Sequence, residues 1–387
     1  MLRQREECRE RSGDPSGRRL TVVHLSTVHS EHDTRIFEKQ CVGLAAEGHS
    51  VTLVIQSTQD CDRRGVRIRA LSPTKRRVRR MTVNALRALR IALEERADVY
   101  HLHDPELLPV GLALRMVGRR VVYDMHENVP KQIRTKHWIP QWMRVPIAAA
   151  VSSVERLTLN HMAVVCAERS YLSDYQWVRR RELVLNMPSL EVLETIAELP
   201  AEVPTIGYIG GVTKDRGVLT VLQAAIDLRH DGLRVNFECV GPVDDDVAAD
   251  DRFRAAIADG WLRAPGRLPP QDGWRRIARC HVGVAVLRPL ENYVDSYPTK
   301  MFEYMAMGLP VVVSDFALYR QVVDQHDCGL CVDPENVQSV RQALEALLTD
   351  AERARALGER GKRAVHEHYS WKGELQKLTD FYRGLLE

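Results

Sequence analysis

The chain has 387 residues, 44% hydrophobic and 28% charged, with a net charge of +3. That is an ordinary globular balance with apolar material for about two domains at roughly 150 residues each. A charge so small gives no argument for a nucleic-acid partner, and no apolar run reaches the ~18 residues a membrane-spanning helix needs.

The first residues, "MLRQREECRERSGDPSGRR", lack the apolar core of a signal peptide and read as a polar, disordered leader over residues 1–18. From Leu20, short β-rich runs alternate with longer helical stretches. "LTVVHLS" reads as a strand, and "RIFEKQCVGLAAEG" as a helix with apolar positions at three- and four-residue spacing, closed by Gly48. "HSVTLVIQ" is the next strand. The stretch from Lys75 to Leu93, "KRRVRRMTVNALRALRIAL", then concentrates arginine beside an amphipathic helix. It is either a solvated helix face or, over residues 75–90, a patch for peripheral contact with anionic lipid or an anionic acceptor. "DVYHLHD", "RRVVYDMHE" and "MAVVCAE" are further strands, with a helix at "LLPVGLALRMVG". Near-continuous Val/Ile/Leu strands separated by helices indicate a parallel sheet covered on both faces.

A proline-bearing linker near residues 187–204 precedes a second βα series. Its strands are "TIGYIGG", "LRVNFECVG", "HVGVAVL" and "LPVVVSD", and its helices "GVLTVLQAAIDLRHDG", "GWRRIARC", "TKMFEYMAMG" and "VQSVRQALEALLTD". The expectation is an α/β protein of two Rossmann-like domains, residues 19–187 and 188–369. Residues 370–387 form a final amphipathic helix that crosses back to the first domain. In open sheets of this kind ligands bind at the carboxyl ends of the strands, and two such edges facing each other make an interdomain cleft. The eight cysteines are scattered, which suits a reducing cytoplasm better than a disulfide framework. Cys328 and Cys331 form a C-x-x-C with no second pair to complete a zinc site, so neither metal nor redox chemistry is expected there.

The residues just after strands carry the chemistry. "YIGGVTKDRG" puts Gly210 and Gly211 at a strand end, with Lys214 and Arg216 before a helix. Glycines there let backbone N–H groups approach a phosphate, and a guanidinium grips two of its oxygens; a plain strand-to-helix turn has the same appearance. "LENYVDSYPTKMFEYMAMGLPVVVSD" is more specific. Pro298 suits the first position of a helix whose N-terminus favours an anion. Thr299 and Lys300 add a hydroxyl and a cation there, and Glu303 shares a face with Lys300. Glu303 offers a carboxylate one turn in, where a ribose diol fits.

These two segments resemble the donor-nucleotide half of glycosyltransferase family 4, the retaining GT-B family. There a carboxylate is followed, after seven residues, by a glutamate before small-Met-Ala-x-Gly-x-Pro-Val, here Asp295 and Glu303. The resemblance implies that Glu303 binds the ribose hydroxyls and that the first carboxylate lies by the donor sugar. This chain has the shorter Asp295 where glutamate is usual, with Glu291 near enough to compete. It also has Gly211 where the family has arginine, which leaves Lys300 to replace a diphosphate contact beside Arg216. The base would be read by backbone around "GRLPP", Gly266 to Pro270.

Three strand ends of the first half, "HSEHDTRIF", "HLHDPELLP" and "YDMHENVPKQ", resemble one branch of the same family. By family position His126 faces the donor sugar; a packed strand-end histidine is the alternative. His103, Asp104 and Glu127 either bind substrate or satisfy loop backbone. Asp33 is a natural helix N-cap, yet capping does not explain His29, His32 and Arg35 beside it. His29, Asp33 and Arg35 are therefore expected to meet the acceptor. His29 and His32 have no third or fourth ligand nearby, and GT-B enzymes generally need no metal, so neither metal nor cofactor is expected.

The resemblance implies a cytoplasmic enzyme, at most peripheral at the membrane. It moves a hexosyl or N-acetylhexosaminyl group, with retention, from a nucleotide sugar (UDP favoured over GDP). The acceptor is a glycan, lipid-linked or small-molecule hydroxyl, in polysaccharide or natural-product glycosylation. A GT-B nucleotide-sugar epimerase and a non-catalytic sugar-binding homologue are the alternatives.

Overall fold

The computed structural model describes residues 18–135, 139–196 and 198–387. The expected disordered leader lies outside them, Arg18 apart. Contacts divide the chain into two units. One holds the residues up to Ala167, Tyr171–Val184 and Lys377–Glu387; the other holds Glu168–Ser170 and Leu185–Gln376.

The first unit is built on eight strands: β1 Thr21–Ser30, β2 Ser50–Gln56, β3 Cys61–Arg63, β4 Val66–Leu71, β5 Val99–Leu102, β6 Val121–Met125, β7 Ala163–Cys166 and β8 Arg181–Leu183. Their order is β3-β4-β2-β1-β5-β6-β7-β8. All neighbours are parallel except β3 and β4, an antiparallel pair at the edge. Because helices cover both faces, β2, β5, β6 and β7 are buried almost throughout, which is why they read as apolar runs without alternation.

The edge hairpin was not anticipated. It turns at Arg64 and Gly65, both at positive φ (52° and 79°), the pair of left-handed residues that a two-residue hairpin loop demands. The first helix also differs from the expected regular one. Residues Thr34–Cys41 form wide π turns before the α turns of Val42–Ala46, and Arg35, Ile36, Phe37, Lys39, Gln40 and Cys41 are all buried. Seven consecutive side chains go right round a helix, so burial of six of them means that the segment is enclosed on nearly every side.

The second unit has six parallel strands: β9 Thr205–Ile209, β10 Asn236–Val240, β11 Leu262–Gly266, β12 Val282–Ala285, β13 Val311–Ser314 and β14 Gly329–Val332. Their order is β11-β10-β9-β12-β13-β14. Its core gathers Tyr208, Val221, Phe237, Val284, Val312 and Leu344 from strands and flanking helices. A helix over Ala351–His368 has no counterpart in the sequence reading; its charged residues hide a narrow apolar line through Ala354, Leu357, Ala364 and Val365. Cys328 and Cys331 are free thiols whose burial pushes their pKa up, to about 12 and about 11.

Strand order reverses between β1 and β5 in one sheet and between β9 and β12 in the other. Crevices outside the carboxyl ends of strands at such points are where open α/β sheets bind ligands. Among the described residues no helix is long and apolar enough to cross a membrane.

Candidate active site

In the second unit the β9 strand end makes a glycine turn that two buried tyrosines hold. The Tyr208 hydroxyl donates to the Gly211 carbonyl. The Ile209 N–H donates to the Tyr304 hydroxyl at 2.9 Å, which itself donates to the Val284 carbonyl at 3.3 Å. Gly210 has φ +120°, and a Cβ there would stand 3.1 Å from both Arg216 Nη1 and Lys300 Nζ. A side chain at this position would therefore be strained and would lie against the two cations. Gly217, at φ +70°, is tighter still: a Cβ would come within 1.7 Å of the Val286 carbonyl oxygen.

Helix Thr299–Ala306 brings Lys300 to this turn. Pro298 is its N-cap, one residue before the expected first helical position. Lys300 is buried, with its ammonium 3.8 Å from the centre of the Tyr208 ring. Nζ has no hydrogen-bond partner among the described residues. Burial, then the neighbouring Arg216, holds its pKa well below the usual lysine value, while Glu303 pulls the other way. Burial opposes a charged Arg216, yet Tyr208 and then Tyr293 beside it raise its pKa. Two basic side chains thus converge at the glycine turn, a setting that suits an anion.

Glu303 is half-buried one turn along the same helix, and the Thr299 hydroxyl reaches the Asn186 carbonyl at 3.4 Å. Asp295 and Glu291 are both exposed, flanking the short helix Glu291–Val294. Tyr293 on that helix lies near Arg216, and its carbonyl accepts from the Tyr319 hydroxyl at 2.9 Å. Sequence reasoning missed Tyr208, Tyr293, Tyr304 and Gly217. A tyrosine one residue before a strand-end "IGG" was the available signal for the first.

In the first unit the strand-end residues divide into a buried set and a more open one. Asp104, 1% exposed, accepts from the Ser26 hydroxyl at 2.9 Å, the Thr27 N–H at 2.6 Å and the Val28 N–H at 3.1 Å. It clamps the ends of β1 and β5 together. Arg35 is buried and turned inward. Its Nε and Nη2 donate to the Asp124 carboxylate at 3.1 and 2.8 Å, and Nη2 also donates to the Val184 carbonyl at 3.2 Å. The Gln40 amide donates to Asp124 at 2.7 Å, and His103 Nδ1 faces it at 3.2 Å. For Arg35, His103 and Asp104 this burial replaces the acceptor contact expected from sequence: a guanidinium locked on a buried carboxylate is not available to a ligand. Asp124, the centre of the network, was overlooked. A lone aspartate inside the apolar strand "VVYDM" was the clue.

The open set is His29, Asp33, His126 and Glu127. Asp33 caps the first helix, accepting from the Arg35 and Ile36 N–H groups at 2.9 and 2.8 Å. Its other oxygen meets His29 Nδ1 at 3.0 Å. Capping and site geometry thus coexist in one residue. Burial works against a charged Asp33, but His29 and the Ile36 N–H outweigh it and bring its pKa down to about 2. Burial also opposes protonation of His29, yet Asp33, Asp104 and Glu127 together raise its pKa. The His126 ring meets His29 edge-on, centroids 5.4 Å apart, with His126 Nδ1 3.2 Å from the Asp124 carbonyl. His32 is exposed beside Glu31.

Comparison with known proteins decides what the two sites belong to. Residues 34–184 match the family model of the glycosyl transferase 4-like domain, and residues 203–350 that of glycosyl transferases group 1. The chain has the GT-B fold and carries both of these glycosyl transferase domains. An 82-residue segment is 35% identical to a GDP-mannose-dependent α-(1-6)-phosphatidylinositol monomannoside mannosyltransferase of Mycobacterium tuberculosis, 21% of each chain. The match thus spans about a fifth of that relative. The phosphatidyl-myo-inositol mannosyltransferase of Mycolicibacterium smegmatis is 24% identical over 276 residues, 71% of this chain and 68% of that one. Among solved structures, sucrose-phosphate synthase of Thermosynechococcus elongatus superposes with a TM-score of 0.72 at 18% identity, over 95% of this chain and 99% of the synthase. Anabaena HepE in complex with UDP-glucose gives 0.69 at 10% identity, over 94% and 100%. At such identities the structural likeness speaks for the GT-B fold alone.

Proposed function

We propose that this glycosyltransferase moves a hexosyl or N-acetylhexosaminyl group from a nucleoside diphosphate sugar to an acceptor hydroxyl with retention. The observation that carries the reading is the buried, unsatisfied Lys300 ammonium beside Arg216 beneath the Gly210–Gly211 turn. Preorganised cations and a helix N-terminus stabilise a departing diphosphate far better than water does. In this reading Arg216, Lys300, Thr299 and the Gly211 N–H hold the diphosphate and Glu303 holds the ribose, the Gly210 N–H being taken by the Val240 carbonyl at 2.8 Å. Asp295 and His126 orient the sugar, and the His29–Asp33 pair with Glu127 receives the acceptor. The bond from the anomeric carbon to the phosphate oxygen breaks while the acceptor oxygen bonds on the same face. The departing phosphate takes the acceptor's proton, so the transfer uses no metal.

Uridine is favoured as the base on its frequency in the family the sequence resembles, while the mannosyltransferase relatives are named for GDP-mannose. The acceptor is a glycan, lipid-linked or small-molecule hydroxyl, and residues 75–90 bring the enzyme to an anionic membrane surface. A thermal-shift panel of UDP, GDP, ADP and their sugars tests the donor site. A UDP-linked ligand should shift the transition most, and silence to every nucleotide would overturn the reading. Turnover of a nucleotide sugar without any acceptor would point to an epimerase instead.

A further inference from the structure

Beneath the open histidines of the first unit lies a second group that the transfer does not use. His24 on β1 and His101 on β5 are paired in register, and His103 follows two residues on. All three are fully buried. Their rings pack with centroids 4.7–5.2 Å apart. One nitrogen from each lies within 4.8 Å of the others, and His24 Nδ1 is 2.9 Å from His103 Nε2. Three imidazoles in a hydrocarbon core are costly unless their nitrogens are satisfied. Here Nε2 of His24 and Nε2 of His101 have no hydrogen-bond partner among the described residues.

Two further nitrogens lie beside polar groups. His103 Nδ1, which also makes no hydrogen bond among the described residues, faces the Asp124 carboxylate at 3.2 Å, and His101 Nδ1 pairs with the Tyr382 hydroxyl. A metal-bound histidine characteristically uses one ring nitrogen for the ion and hands the other to a carboxylate or similar group. We propose that His24, His101 and His103 form a buried site for a divalent cation of the zinc type, with Asp124 and Tyr382 orienting two of the three ligands. At about 2.0–2.1 Å from a tetrahedral ion, ligand nitrogens stand roughly 3.3 Å from one another. The His24–His103 pair, at 2.9 Å, opens slightly to reach that spacing, and His101, with Nε2 unpartnered, turns in to complete the set. The ion braces β1 against β5 and takes no part in the transfer, so the proposal does not rest on the donor site.

The competing arrangement is a metal-free hydrogen-bonded stack of the same rings. The test takes the full chain expressed with supplemental zinc, and the same chain refolded with cobalt(II). Expected are one equivalent of metal per chain and the visible absorption of tetrahedral cobalt, both lost in His101→Gln. Tyr382→Phe, which keeps the volume, should still fold and bind cobalt 10–100-fold more weakly. A wild-type chain that folds without retaining metal under either condition overturns the proposal. So does a folded His101→Gln chain that binds metal as wild type does. Should His101→Gln not fold, the wild-type metal content and Tyr382→Phe decide.

Discussion

Lys300 and Asp124 are both buried ionisable groups, and they differ in what they are owed. Asp124 is satisfied by Arg35, Gln40 and His103, so its pKa stays well below the carboxylate range despite the burial that opposes this. Removing one member of such a pair leaves an uncompensated charge, typically at a cost of about 3–5 kcal/mol. Arg35→Met should lower unfolding stability by that order in urea titrations at pH 7; a change within error would remove Arg35 from the framework. Lys300 Nζ has no hydrogen-bond partner among the described residues, and in the proposed complex a diphosphate would raise its depressed pKa. At pH values between the free and the bound pKa, donor binding then takes up a proton and affinity falls as pH rises. Calorimetry in buffers of different ionisation enthalpy reads the uptake, and none should be seen in Lys300→Met. Glu303→Ala, which deletes a charged hydrogen-bond partner worth about 1.5–3 kcal/mol, should reduce turnover by roughly 10- to 100-fold. Near-wild-type rates would sink its assignment.

The loop from His29 to Asp33 shows how one short element serves folding and site together. Asp33 has a folded pKa of about 2 against a reference of 3.8. Its contribution, about 2 kcal/mol, is present above pH 4 and is lost as pH falls towards 2. The raised His29 acts in the other direction: its share is complete below its ordinary pKa of 6.5 and fades as pH rises through the higher folded value. Stability of Asp33→Ala should thus trail wild type near pH 5 and converge with it towards pH 2; a pH-independent gap would refute the pairing. The stretch from Lys75 to Leu93 has seven basic side chains and no acidic one. It exposes Val78 at 75%, Leu86 at 68% and Val83 at 55%, beside Arg76, Arg77, Arg79 and Arg87. Apolar tips among arginines suit an anionic interface. Val78→Glu with Leu86→Glu, both outside the core, should abolish co-sedimentation with anionic vesicles while leaving the melting temperature unchanged. Equal binding to neutral vesicles would defeat the reading.

The two units are each complete around a sheet, but the first draws on residues far along the chain. Residues Lys377–Glu387 belong to it, with Leu378 and Tyr382 fully buried there and the Arg120 guanidinium donating to the Leu385 carbonyl at 2.7 Å. Burying two such side chains contributes about 1.5–3 kcal/mol each. A chain ending at Gln376 should therefore unfold its first unit at lower temperature. An unchanged transition would show that the segment adds nothing.

Hydrophobic periodicity is a local property, and it was enough for the alternating strands, the two βα series and the α/β class. The donor segment was legible for a similar reason: Pro298, Thr299, Lys300 and Glu303 lie within one and a half helical turns, so their spacing alone places them together. Nothing local distinguishes Arg35, His103 and Asp104, which are buried, from His29 and His126, which are open. That division depends on Asp124, 89 residues from Arg35, and on which side chains a π-turned helix carries inward. The histidine group joins His24 to His101 and His103 only because β1 and β5 are neighbours in the sheet, and Tyr382 reaches it from near the chain's end. Spacing along a chain reports neighbours within a turn or a strand; burial and long-range pairing exist only once the sheet order is set.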